Sequence, residues 1–192
     1  MTRAVRAALV LTASTGLLAG CAHYTLVEPR PRTVADLYTV DPQIRWSAST
    51  NGKVEMWTVD GSGLESVQFL NGLADGEVLI QAAAAANSPK RMTFRKTMTP
   101  SELAELLADT LTSAGAQHVA VTSLGPHQFG SASGFRCELA FTSKGGLAKQ
   151  GLAAGAIIND RLYLVLYTGA KLHYYEAHRA DVEKIIQSIH MK

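Results

Sequence analysis

The chain has 192 residues, of which 47% are apolar and 18% charged. That leaves room for one domain or two small ones and excludes a disordered, collagen-like or proline-rich polymer. Two cysteines exclude a disulfide scaffold. The net charge is +2, from 18 basic and 16 acidic side chains, but Arg3 and Arg6 stand in an amino-terminal segment without Asp or Glu. Once that segment is set aside the two signs balance. A nucleic-acid binder, which needs a basic excess to displace counterions from phosphate, is therefore disfavoured.

Arg3 and Arg6 form a positive n-region, and Ala7 to Leu18 is a mostly apolar stretch ending in the small residues Ala19 and Gly20. This is the layout of a secretory signal. At about 12 residues the stretch falls short of the roughly 20 that a helix needs to cross a bilayer. Leu18-Ala19-Gly20-Cys21 resembles the lipobox of bacterial lipoproteins. The resemblance implies removal of residues 1–20, a diacylglyceryl thioether on Cys21 and acylation of its new amine. Two or more fatty chains hold a protein firmly, at about 0.8 kcal/mol per buried methylene. Ala22 is not the Asp that commonly marks inner-membrane retention, so the resemblance points to the outer membrane, facing the periplasm. An ordinary secretory signal with an incidental Cys21 is the alternative.

Residues 21–41 read as the lipidated terminus and an extended linker, stiffened by Pro29, Pro31 and Pro42 and lacking an apolar period. Arg30 and Arg32 read as solvated, with contact to anionic headgroups as the alternative. A single globular domain is expected over residues 42–192. Ile44, Trp46 and Ala48 alternate with polar residues up to Asn51-Gly52, a hairpin turn signal, and Val54 to Val59 is the return strand. Asp60 to Gly63 is a further turn. Leu64 to Ile80 reads as two short strands, one with Val67, Phe69 and Leu70 before Asn71-Gly72 and one at Val78 to Ile80 after Asp75-Gly76, and Ala82 to Ala86 as packing or loop.

Thr99-Pro100-Ser101-Glu102 combines an N-cap, a first-turn Pro and a capping-box Glu. Leu103, Leu106, Leu107 and Leu111 then mark one helical stripe, which Gly115 ends. The polar face carries Glu102, Glu105 and Asp109, so this helix packs on the protein's own sheet and does not lie on a membrane. Four strands follow, at His118 to Leu124, Phe135 to Thr142, Leu152 to Ile158 and Arg161 to Thr168. The last is apolar on both faces, which calls for cover on both sides. Val182, Ile185, Ile186 and Ile189, preceded by Asp181, mark a second helix.

The expected fold is α+β, a mostly antiparallel sheet with helices packed on both faces, an α/β/α sandwich. This order resembles the fold shared by PsbP of photosystem II and the Ran-binding protein Mog1. The likeness is one of pattern over about residues 42–192 and carries no site residue with it.

The chemical signatures are sparse. Gly130 to Gly134 resembles a nucleophile elbow but has Ala132 at the nucleophile position and precedes a strand, so it reads as loop or bulge. Gly145-Gly146, Gly151 and Gly155 fit turns and crowded strand positions. Cys137 shares a strand face with Phe135, Leu139 and Phe141 and reads as a small buried hydrophobe; a reactive thiol or an intermolecular disulfide is the alternative. His173-Tyr174-Tyr175-Glu176-Ala177-His178 reads as a loop with its tyrosines on the sheet. Zinc binding is the sharper alternative, although on a helix the two imidazoles diverge. Lys90, Arg91, Arg95 and Lys96 read as a solvated basic loop, against contact with anionic lipid or an acidic partner. The function expected is a non-catalytic binding or scaffolding domain on a membrane-anchored envelope lipoprotein, with lipid on Cys21, no catalytic or metal site and no cofactor beyond the lipid. Its partners are the bilayer and another envelope protein. A small-ligand carrier with a pocket between sheet and helix is the alternative, and an enzyme the more distant one.

Overall fold

The computed structural model describes residues 24–34, 36–79 and 92–192. Cys21, the alanine run, Lys90 and Arg91 lie outside them. In chain order come strands β1 (Thr25–Val27), β2 (Arg32–Val34), β3 (Tyr38–Val40), β4 (Trp46–Asn51), β5 (Val54–Thr58) and β6 (Glu65–Leu73), then helix α1 (Pro100–Ser113). Strands β7 (Gln117–Phe129), β8 (Ala132–Thr142), β9 (Ala148–Ile158) and β10 (Arg161–Ala170), helix α2 (Tyr174–Gln187) and strand β11 (His190–Met191) complete it. The main sheet has eight antiparallel-paired strands in the order β1-β4-β5-β6-β10-β9-β8-β7. A three-stranded sheet has the order β11-β3-β2.

Helix α1 forms where its end signals stand. Thr99 Oγ1 accepts from the Glu102 amide, and the Glu102 carboxylate accepts from the Thr99 amide at 2.8 Å, which closes the capping box. At the other end Gly115 has φ +96°, and its amide and that of Ala116 donate to Thr112 and Leu111 carbonyls, a Schellman closure. The hairpin from β9 to β10 turns on Asn159 and Asp160, both at positive φ, as a type I′ turn requires.

Strand β10 divides its side chains between two apolar clusters. Leu162, Leu164 and Leu166 join Leu103, Leu106 and Leu107 of α1. Val165 and Tyr167 join Tyr175, Val182, Ile185 and Ile186 of α2. Alternate residues of a strand leave on opposite faces, so a strand apolar at every position is buried throughout. Gly134 and Gly155 let β8 and β9 approach closely here. A Cβ on Gly134 would fall 2.2 Å from the Gly155 carbonyl oxygen.

Five local readings are corrected. The stretch expected as an extended linker supplies β1, β2 and β3, and Val27, Val34, Tyr38 and Val40 are buried in the α2 cluster. Each strand has only three residues and prolines separate the first two, so no periodic window exposes them. The Asn51-Gly52 hairpin turns instead on Gly52-Lys53, with Gly52 at φ +57° in the position where a type II′ turn takes glycine. Of the two short strands expected over 64–80, the first is β6 and runs on through Asn71-Gly72 to Leu73, whereas Val78 and Leu79 of the second form no strand and Ile80 lies outside the described residues. Asn71-Gly72 is a bulge where the register on β10 shifts, and Gly72 has φ +73°. Strand β7 runs past Leu124 through Gly125-Pro126. It lies at the sheet edge, where a missing amide proton is tolerated. Helix α2 begins at Tyr174 and takes in the aromatic stretch read as a loop, with Asp181 inside the helix.

Candidate binding groove

Helix α1 packs chiefly on β7, with lesser contact to β8, at one end of the main sheet. A helix is about 10 Å wide, whereas eight strands at about 4.8 Å span roughly 34 Å. The opposite end, β1-β4-β5, lies farthest from it, while Leu70 and Leu73 of β6 still join its cluster. A groove of about 960 Å³ opens there, off the α1 cluster. Its floor is Val54, Met56, Leu70 and Leu73, joined by Val78 and Leu79 from the segment after β6. Tyr24 and the hairpin residues Ser49 to Lys53 form the rim.

One ion pair closes the rim. Lys53 Nζ donates to Glu77 Oε2 at 2.5 Å, and the Ala74 amide donates to the same oxygen at 2.7 Å. The Lys53 hydrogen bond, helped by that amide, holds the Glu77 carboxyl below its usual range. Glu77 is held by its own backbone as well, through Phe94 N to Glu77 O at 2.8 Å. The described lining contains no histidine and no cysteine. The described lining thus combines an apolar floor with a rim whose two charges neutralise each other.

The other polar concentrations are structural. Arg136 forks onto Glu183 at 2.5 and 2.6 Å, and Arg179 reaches Glu138 at 2.9 Å, which ties α2 to β8. Hydrogen bonding from Arg136 is the main reason the Glu183 carboxyl titrates below its usual range. On β7, burial and then the Arg136 charge push the His127 imidazole down, and its Nε2 is buried without a partner. Glu65 is wholly buried. Its Oε1 accepts from Thr58 Oγ1 at 2.7 Å and from the Val59 and Asp60 amides, and so pins the turn after β5.

The residues singled out in the sequence go to separate places. Cys137 is buried between Phe135 and Leu139 in the α1 cluster, and burial pushes its thiol up to about 11. His173 lies edge-on to Tyr174 at 5.2 Å, whereas His178 lies 5.7 Å from the Trp46 ring and 3.4 Å from Asp60 Oδ2. Among the described residues no cluster of three His, Cys, Asp or Glu could hold a metal. Arg95 pairs with Glu102 and Lys96 with Asp160, so half of the basic cluster is occupied within the fold. Arg32, expected as solvated, bonds Glu55 at 2.9 Å and lies 5.4 Å over the Trp57 ring. Gly130-Ser131 is the two-residue β7–β8 turn, and Gly134 lies within β8. Sequence reasoning missed the groove, because its floor joins residues from β5, β6 and the loop after β6. The sequence signal available was the period-two pair Val54 and Met56 in the return strand of the hairpin.

No protein-family model matches the chain, and no curated protein matches it. Among solved structures it is similar to the solution structure of cyanobacterial PsbP (CyanoP) from Synechocystis sp. PCC 6803, at 11% identity and a TM-score of 0.51 over 94% of this chain and 98% of that one. A further likeness is to the crystal structure of LpqN, involved in cell envelope biogenesis of Mycobacterium tuberculosis, at 8% identity and a TM-score of 0.40 over 91% of this chain and 87% of that one. The first likeness defines the class. The chain has a PsbP-like fold, a mostly antiparallel sheet with two helices. Among the described residues no helix is long and apolar enough to cross a membrane.

Proposed function

We propose that this chain is a lipid-anchored protein of a bacterial envelope, carrying a non-catalytic binding domain. Residues 1–20 direct export, Cys21 takes the diacylglyceryl and N-acyl chains, and the domain hangs in the periplasm from the outer membrane. Helices α1 and α2 cover opposite faces of the sheet in an α/β/α sandwich, a reading supported by the split of β10 between the two clusters. The domain begins near Thr25, so the tether is a few residues long and holds the fold close to the bilayer. The single observation that carries the proposal is Leu18-Ala19-Gly20-Cys21 at the end of a short apolar run. The bilayer and another envelope protein are the partners, and no cofactor other than the lipid takes part.

Substitution Cys21→Ala is the test. The wild-type protein is expected in the membrane fraction, with an intact mass starting at Cys21 plus lipid, and the variant in the soluble fraction. Wild-type protein that starts at Met1 with an unmodified thiol overturns the proposal. The groove favours one second reading, a carrier of a small apolar ligand. Native mass spectrometry showing a co-purifying ligand on the Cys21→Ala protein would establish that instead.

A further inference from the structure

The groove opens beside the first described residue. Tyr24 lies on its rim, and Cys21 precedes Tyr24 by three residues. A chain reaches at most about 3.6 Å per residue, so a lipid on Cys21 starts within about 11 Å of Tyr24. Val54 and Met56 on the floor are only half-buried. Tyr24, just before β1, and Leu26 within it are 43% and 64% exposed. Leu26 shares a sheet face with Met56, and only the small side chains Ser47 and Ser49 of β4 stand between the floor and the edge strand next to Cys21. The rim charges Lys53 and Glu77 satisfy each other, so the opening suits a hydrocarbon tail better than a charged headgroup. Its volume is that of a site for one small ligand.

We propose that the groove holds one acyl chain of the lipid on Cys21, so that the anchor is divided between bilayer and protein. This rests on the lipoprotein reading above. Tethering makes the chain an intramolecular ligand at an effective concentration of order millimolar, which a free lipid in the water phase does not approach.

The experiment feeds cells a photoactivatable diazirine fatty acid, isolates membranes, irradiates them and maps adducts by mass spectrometry. The expected result is label on Cys21 with intramolecular adducts on the peptides carrying Met56 or Leu70. Substitution Met56→Lys, which places an ammonium on the half-buried floor, is expected to cut those adducts at least fivefold with the circular dichroism and the Cys21 label unchanged. Label on Cys21 with adducts confined to phospholipid or to other proteins overturns the inference and leaves the lipoprotein reading intact. Equal labelling of the floor in the Cys21→Ala protein by the free fatty acid overturns it as well, since membrane lipid is then the source. No label on Cys21 overturns both.

Discussion

Replacing Tyr38 by Ala tests whether residues 25–40 belong to the core or to a tether. Tyr38 is fully buried, with its ring edge-on to Phe129 at 5.5 Å and to Tyr163 at 6.4 Å. Its hydroxyl reaches Asn71 Oδ1 only at 3.4 Å, a weak bond, so nearly all its contribution is packing. Truncating a buried aromatic costs about 3–5 kcal/mol, and each aromatic pair accounts for roughly 0.5–1.5 of that. For a chain of this size that is a fall in Tm of about 6–20 °C. The assay is urea unfolding of the Cys21→Ala protein, with Leu26→Ala, at 64% exposure, as the control expected within about 0.5 kcal/mol. Tyr38→Phe should cost no more than about 1 kcal/mol. A Tyr38→Ala change below about 1 kcal/mol with an unchanged m-value refutes the placement of β3 in the core.

Three further outcomes are expected. Cys137, buried with its thiol pushed up to about 11, should resist iodoacetamide at pH 8 in the native protein and react fully in urea; rapid native labelling contradicts its burial. Glu183→Gln should cost about 1–2 kcal/mol at pH 7, because the Arg136 fork holds the folded carboxyl below its unfolded value. A lowered folded pKa stabilises above the unfolded value near 4.3 and ceases to do so as pH falls through the folded one. The gap between wild type and variant in urea titrations should therefore close below pH 4, and a gap independent of pH would contradict the pairing. Gly134→Ala places a methyl 2.2 Å from the Gly155 carbonyl oxygen and should destabilise by about 1–3 kcal/mol, whereas Gly63→Ala, which meets nothing within 4 Å, should lie near zero.

What the sequence discloses follows from how local the determining contacts are. Helix α1 is legible because its cap, proline, glutamate, leucine stripe and terminal glycine all lie within 17 residues, from Thr99 to Gly115. The hairpin at Asn159-Asp160 is legible because its turn chemistry is local too. The three short amino-terminal strands are not, because Val27, Val34 and Tyr38 are buried in a cluster that brings distant residues of α2, β7 and β10 together with Trp46 and Trp57. Gly72 reads as a turn because glycine at positive φ serves turn and bulge alike, and only the partner strand β10 separates them. The groove is illegible for the same reason. Among the described residues it is a part of the sheet surface that α1 does not cover, lined from β5, β6 and the loop after β6, and no single segment encodes it.

The central position of β10 bears on the timing of assembly. Strand β6 gains its second neighbour only when Leu162 meets Leu73, roughly ninety residues later in the chain. A chain that forms from its amino-terminal end would thus present β1-β4-β5-β6 as an unfinished half with an open edge until β10 arrives. The two halves then zip together through contacts of high sequence separation, a slow step during which the edge of β6 stays open.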